Sequence, residues 1–105
     1  MIFHDLIPYL LDPDRLESLY EPYTLNKEAE YILVYAIEDL TLDAEIVFFD
    51  PEETDDYLTF EKDGVKYVQF FSIDHAIDLL DQLELRGKPI KQIAKRLLKY
   101  RIYDA

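Results

Sequence analysis

The sequence predicts an α+β fold: a small antiparallel sheet of three to four strands, with N-terminal helices and two C-terminal helices packed on it. Three observations predict it. Two apolar runs, residues 31–37 and 44–49, are rich in Tyr, Ile, Val and Phe. The pair Asp63-Gly64 separates two segments of β character, residues 57–62 and 65–71. The last third carries two apolar faces at helical spacing.

Each element has its own signal. Residues 2–11 and 13–20 read as two short helices. Asp12-Pro13 supplies an N-cap followed by proline at the first helical position. Leu16, Leu19 and Tyr20 then share one helical face. Pro8 counts against the first helix, because proline belongs in a first turn. Glu21-Pro22-Tyr23 ends the region.

Residues 31–37 are continuously apolar, and periodicity does not separate a buried strand from a buried helix there. Asn26 with Glu28 and Glu30 would start a helix, but the Tyr, Ile and Val content favours a strand. Residues 44–49 form a clearer strand, stopped by Asp50-Pro51.

Asp63-Gly64 is the strongest local signal. A two-residue Asp-Gly loop favours a type I′ hairpin, because both residues tolerate positive φ. That register sets Glu61 opposite Lys66, Phe60 opposite Tyr67 and Thr59 opposite Val68. Each such pair adds a few tenths to about 1 kcal/mol.

Ser72 caps the next helix, residues 73–84, with Asp74 in its first turn. Its buried face is Ile73, Ala76, Ile77, Leu80 and Leu83. Arg86-Gly87-Lys88 turns the chain and Pro89 opens the last helix, residues 89–101. Ile90, Ile93, Ala94, Leu97 and Leu98 form its buried face.

The chain's 105 residues suit one domain. Half of them are hydrophobic, enough for a packed core, which excludes a disordered acidic tail. Charge is lopsided: 23 Asp and Glu against 11 Lys and Arg, a net −12. Such a field repels phosphate backbones and anionic lipid, so neither nucleic acid nor membrane is an expected partner. A basic protein is, although acidity also serves plain solubility. The charge is segregated along the chain. Residues 1–84 carry a net −18 and residues 85–105 a net +6.

There is no cysteine, which removes disulfides, thiolate catalysis and Cys-based zinc sites. The first residues lack a basic n-region and a cleavage site. No apolar run approaches the roughly 20 residues of a membrane span. A cytoplasmic protein is expected. His4 and His75 are the only histidines, Ser18 and Ser72 the only serines, and Gly64 and Gly87 the only glycines. Since His75 follows Asp74, that carboxylate is its natural local partner. No catalytic constellation, phosphate loop, cofactor motif or metal-ligand set emerges. The expectation is a binding protein without turnover.

Two acidic segments are the candidate partner-binding surface. In the loop Asp50-Pro51-Glu52-Glu53-Thr54-Asp55-Asp56, five carboxylates stand among seven residues. Their repulsion predicts a solvated, mobile loop, able to enter a basic groove or hold a divalent cation weakly. It lacks the spacing of an EF-hand. Tyr57 beside it offers an aromatic anchor. The second segment is the stripe Asp74, Asp78 and Asp81, which i, i+4, i+7 spacing sets on one helix face. Both segments also read as ordinary solvated surface. A basic row, Lys88, Lys91, Lys95 and Lys99 with Arg96 and Arg101 nearby, is expected to neutralise the acidic bulk internally.

Two stretches resemble segments of small bacterial immunity proteins from contact-dependent growth inhibition and related polymorphic toxin systems. One is Asp39-Leu40-Thr41-Leu42-Asp43-Ala44-Glu45-Ile46-Val47-Phe48-Phe49-Asp50-Pro51-Glu52-Glu53. The other is the tail Ile93-Ala94-Lys95-Arg96-Leu97-Leu98-Lys99-Tyr100 through Asp104-Ala105. Such proteins share a role more than a fold, so the resemblance assigns no residue. It implies a cytoplasmic protein that binds and neutralises one cognate toxin domain, often a nuclease. The competing classes are an antitoxin-like or adaptor protein, and a small enzyme or metal-dependent binder.

Overall fold

The computed structural model describes residues 1–103, so Asp104 and Ala105 of the tail lie outside the described residues. The elements run α1 (Phe3–Leu11), α2 (Pro13–Glu17), β1 (Leu33–Ile37), β2 (Ile46–Phe49), α3 (Pro51–Thr54), β3 (Thr59–Lys62), β4 (Val65–Ser72), α4 (Ile73–Gln82) and α5 (Ile90–Tyr103). The four strands form one antiparallel sheet in the order β2-β1-β4-β3. This is the α+β architecture expected, with helices at the N-terminus and two at the C-terminus.

Residues 31–37 hold a strand, β1, and its place in the sheet explains the missing periodicity. β1 is central, and Leu33, Val34, Tyr35 and Ala36 are all buried. Val34 and Ala36 face the helices, in one core with Leu6, Ile7, Phe70, Leu79, Leu80, Ile93 and Leu97. Leu33 and Tyr35 face the other side, against Phe49, Val47, Phe60 and Tyr67. A strand covered on both faces has no reason to alternate.

The hairpin forms as expected. Thr59 pairs with Val68, Phe60 with Tyr67 and Glu61 with Lys66. Asp63 and Gly64 take φ of 53° and 80°, the left-handed pair that a type I′ turn demands. β3 is shorter than expected, because Tyr57 and Leu58 precede it. Between Val34 and Tyr35 the β1–β4 register slips, so that Val34 meets Phe71 but Tyr35 meets Gln69. The extra residue, Phe70, joins Phe71 in the helix-side core. Gln69 is thereby placed beside Tyr35.

The helices depart from expectation in detail. α1 continues through Pro8 in its second turn. Burial of Phe3, Leu6, Ile7 and Leu10 outweighs one missing backbone bond. Its first N–H groups are met by backbone: Phe3 N–H reaches Ala44 O at 2.9 Å and His4 N–H reaches Leu42 O at 3.2 Å. The ring of Phe3 stacks on Phe70 at 4.2 Å. Asp12 caps α2 through Asp14 N–H at 3.0 Å, but the helix stops at Glu17 and turns follow. Ser72 Oγ caps α4 by accepting from His75 N–H at 3.1 Å. In α4, Leu79 is buried where Ile77 and Leu83 were expected, and these two are half-buried. In α5, Ile93, Ala94 and Leu97 are buried, while Ile90 and Leu98 are half-buried. Among the described residues no helix is long and apolar enough to cross a membrane.

Candidate functional site

The acidic segment 50–56 is not the solvated loop that its charge predicts. It folds into the short helix α3, and two of its carboxylates are spent on that turn. Asp50 Oδ1 accepts from Glu52 N–H at 2.9 Å and Glu53 N–H at 3.2 Å. Glu53 Oε1 accepts from Asp50 N–H at 3.2 Å, closing a capping box. Carboxylates that accept helix-start N–H groups offset their mutual repulsion.

Asp56 is also held. Its Oδ1 accepts from Gln69 Nε2 at 2.9 Å and its Oδ2 from the Tyr31 hydroxyl at 3.2 Å. Behind it lies a buried hub at the Tyr35 hydroxyl. That oxygen is 2.6 Å from Tyr57 O, 3.0 Å from Thr54 Oγ1 and 3.1 Å from Gln69 Nε2. A phenol has one proton. It goes to the Tyr57 carbonyl, which only accepts, so the buried Thr54 hydroxyl supplies the second proton and Gln69 the third. Thr54 Oγ1 in turn accepts from Asp56 N–H at 3.2 Å. The hub pins the consecutive left-handed residues Asp55 and Asp56, at φ 52° and 58°.

Desolvation raises the Tyr31 phenol above its ordinary value of 10.0, and the hydrogen bond to Asp56 with the charges of Asp56 and Glu30 pushes the same way. A folded pKa above the unfolded one gives stability that is complete below about pH 10. It is lost as pH rises through the folded value. Carbon-13 NMR of the tyrosine rings is expected to show Tyr31 ionising later than a free tyrosine, and earlier once Asp56→Asn is made. Ionisation at or below the free value would contradict the Tyr31–Asp56 bond.

The two predicted segments meet at one place. Just before β3 begins, Leu58 O still accepts from Gln69 N–H at 2.9 Å, and the residues ahead of it lie off the sheet. The second half of β4 is left without a neighbour on that side. A groove of about 670 Å³ occupies the space, lined by Tyr31, Asp56 and Leu58 together with Asp74, His75, Tyr100 and Arg101. Arg101 Nε donates to Gln69 O at 2.8 Å, taking a backbone acceptor at the open edge. His75 does not pair with Asp74. Its ring packs edge-on against Phe71 at 5.8 Å and Tyr100 at 6.2 Å, while the other histidine, His4, lies 3.5 Å from Asp5.

The remaining acids scatter. Asp81 pairs with Arg86 at 2.7 Å. Glu52, Asp55 and Asp78 are exposed and make no side-chain bond among the described residues. The basic row does not neutralise the acidic bulk as expected. Among the described residues the ion pairs are Met1–Glu45 and Arg86–Asp81, with a His4–Asp5 contact beside them, and none uses Lys88, Lys91, Lys95 or Lys99. α5 turns its apolar face inward, which sends Lys91, Lys95 and Lys99 to solvent, and Lys88 is exposed in the turn before it. No group of three or more His, Asp or Glu side chains among the described residues is arranged to hold a metal ion.

Of the nine predicted partner-binding residues, Asp56 and Asp74 line the groove and Tyr57 adjoins it. Asp50, Glu52, Glu53, Asp55, Asp78 and Asp81 lie elsewhere. Tyr31, Leu58, Gln69, Tyr100 and Arg101 were not singled out for this site. Gln69 carried a signal, as a lone amide inside the apolar run that ends β4. No protein-family model matches the chain, and neither a curated protein nor a solved structure matches it.

Proposed function

We propose that the chain is a protein-binding module that recognises a basic partner, and that this partner is the cognate toxin domain of a growth-inhibition system. Nuclease domains fit the class, because they present a basic cleft to their substrate. The module acts by occupancy, without turnover or cofactor, in the cytoplasm where such a toxin would arrive.

One observation carries the reading. Among the described residues five large hydrophobic side chains are conspicuously exposed; one of them, Leu58, lines the groove, and three more stand close to groove residues in the chain. Tyr57 and Leu58 are 61% and 62% exposed, and Ile102 and Tyr103, 49% and 71% exposed, follow the groove residue Arg101 in sequence. Apolar side chains concentrated at one concavity are what a protein interface uses as anchors. On a molecule of net charge −12 the fitting partner is basic, and opposite fields speed the encounter. The resemblance to immunity proteins adds the biological setting.

The test is rescue. The chain is co-expressed with the toxin domain of a large secreted protein encoded immediately upstream. Restored growth, with a stable complex on purification, is the expected result. If growth is not restored and no complex forms, the reading fails, and an antitoxin-like or adaptor role takes its place.

A further inference from the structure

We propose that the groove lined by Tyr31 and Tyr100 is a seat for a single arginine guanidinium, carried by the partner on an apolar surface segment. The proposal rests on the reading above and says which side chain the groove receives.

The walls fit a flat cation. Tyr31, Tyr100 and His75 all line the groove. Both tyrosines are held in place before any ligand arrives. The Tyr31 hydroxyl is bonded to Asp56, and Tyr100 packs edge-to-face with His75 at an interplanar angle of 82°. Ordered rings cost a ligand little entropy to meet. A guanidinium is planar, weakly hydrated and stacks on aromatic faces, which an ammonium does less well.

The charges fit as well. Asp74 is exposed at the groove and has no cation within ion-pair distance among the described residues. Asp56 is bonded by Gln69 and Tyr31, yet both are neutral donors, so its negative charge stands uncompensated. The cation already present, Arg101, has its Nε turned to Gln69 O. Two carboxylates against one guanidinium leave the groove short of a positive charge, inside the field of a −12 molecule. Leu58, exposed on the groove, with the exposed Tyr57 next to it in the chain, asks for apolar neighbours around that cation. A segment with arginine between leucines meets all three demands.

The experiment titrates the full-length nitrogen-15 chain with acetyl-Leu-Arg-Leu-amide and with the same peptide carrying citrulline, the neutral isostere of arginine. The expected result is saturable NMR shifts at the amides of Leu58, Asp74, His75 and Arg101. Citrulline is expected to weaken binding about fivefold, as is Asp74→Asn, the scale of one exposed ion pair. Glu52→Gln is expected to leave it unchanged, and thermal melts confirm that both variants fold. Equal binding of the citrulline peptide overturns the proposal. So do shifts centred instead on Glu28, Glu30 and Glu52, or no saturable shift at all. Toxin rescue is read separately, so a chain that neutralises its toxin but ignores both peptides loses the seat and keeps the function.

Discussion

Tyr35→Phe is expected to lower folding stability by about 1–3 kcal/mol while leaving the aromatic face packed. The ring stays, since its contacts with Phe49 and Phe60 are edge-to-face and do not use the hydroxyl. What is lost is one oxygen that serves three groups: the Tyr57 carbonyl, the buried Thr54 hydroxyl and the Gln69 amide. Thr54 is 2% exposed, so water does not readily replace the missing partner. The damage should be local, because the hub is what holds α3 and Leu58 against the sheet. Hydrogen exchange of residues 54–58 should accelerate more than that of α4 and α5. A denaturant melt measures the total. Thr54→Val in the Tyr35→Phe background removes a second stranded group and should cost less than it does alone. A melt within about 0.5 kcal/mol of the parent would mean that the hub is not a structural device.

The fold was largely legible because its strongest signals are local. Asp63-Gly64 fixes a turn whose geometry few residues tolerate, and the turn fixes the register of Thr59–Lys62 against Val65–Val68. The helical spacing of Ile93, Ala94 and Leu97 needs only one face to be buried. The candidate site was poorly legible because it is made by non-local events. Tyr31, Tyr35, Thr54, Asp56 and Gln69 become neighbours only when β1 pairs with β4 and the register slips at Val34. Charge density misled for the same reason. Five carboxylates between residues 50 and 56 read as repulsion, but repulsion is counted between side chains, and Asp50, Glu53 and Asp56 accept from donors instead. The capping box was written in the sequence, as Asp50-Pro51-Glu52-Glu53, an N-cap with proline at N1 and Glu at N3. The lysine row misled in the opposite direction. Opposite charges along a chain do not meet unless the packing faces turn them together, and α5 turns its apolar face inward.

The last expectation separates anchors from surface charge. Against the toxin domain identified by rescue, Tyr57→Ala and Leu58→Ala are each expected to cost about 2 kcal/mol or more, appearing chiefly as faster dissociation. Both side chains are more than half exposed, so truncation costs little folding stability. Charge reversal away from the groove should act differently. Glu52→Lys and Asp78→Lys are expected to slow association and flatten its salt dependence, with little change in dissociation. Glu52 is the cleaner probe of its segment, because Asp55 sits at φ 52°, where lysine would add backbone strain to the change of charge. Asp81 is a poor probe of its stripe, since reversal there would also strand Arg86. Circular dichroism first confirms that each variant folds, and stopped-flow association across a salt series then reads both rates. If Glu52→Lys or Asp78→Lys raises the dissociation rate as much as Leu58→Ala does, the acidic segments are buried in the complex and the groove is not its centre. If Tyr57→Ala and Leu58→Ala both bind as the parent does, these two side chains have no part in recognition, and the basic face of α5 becomes the surface to test.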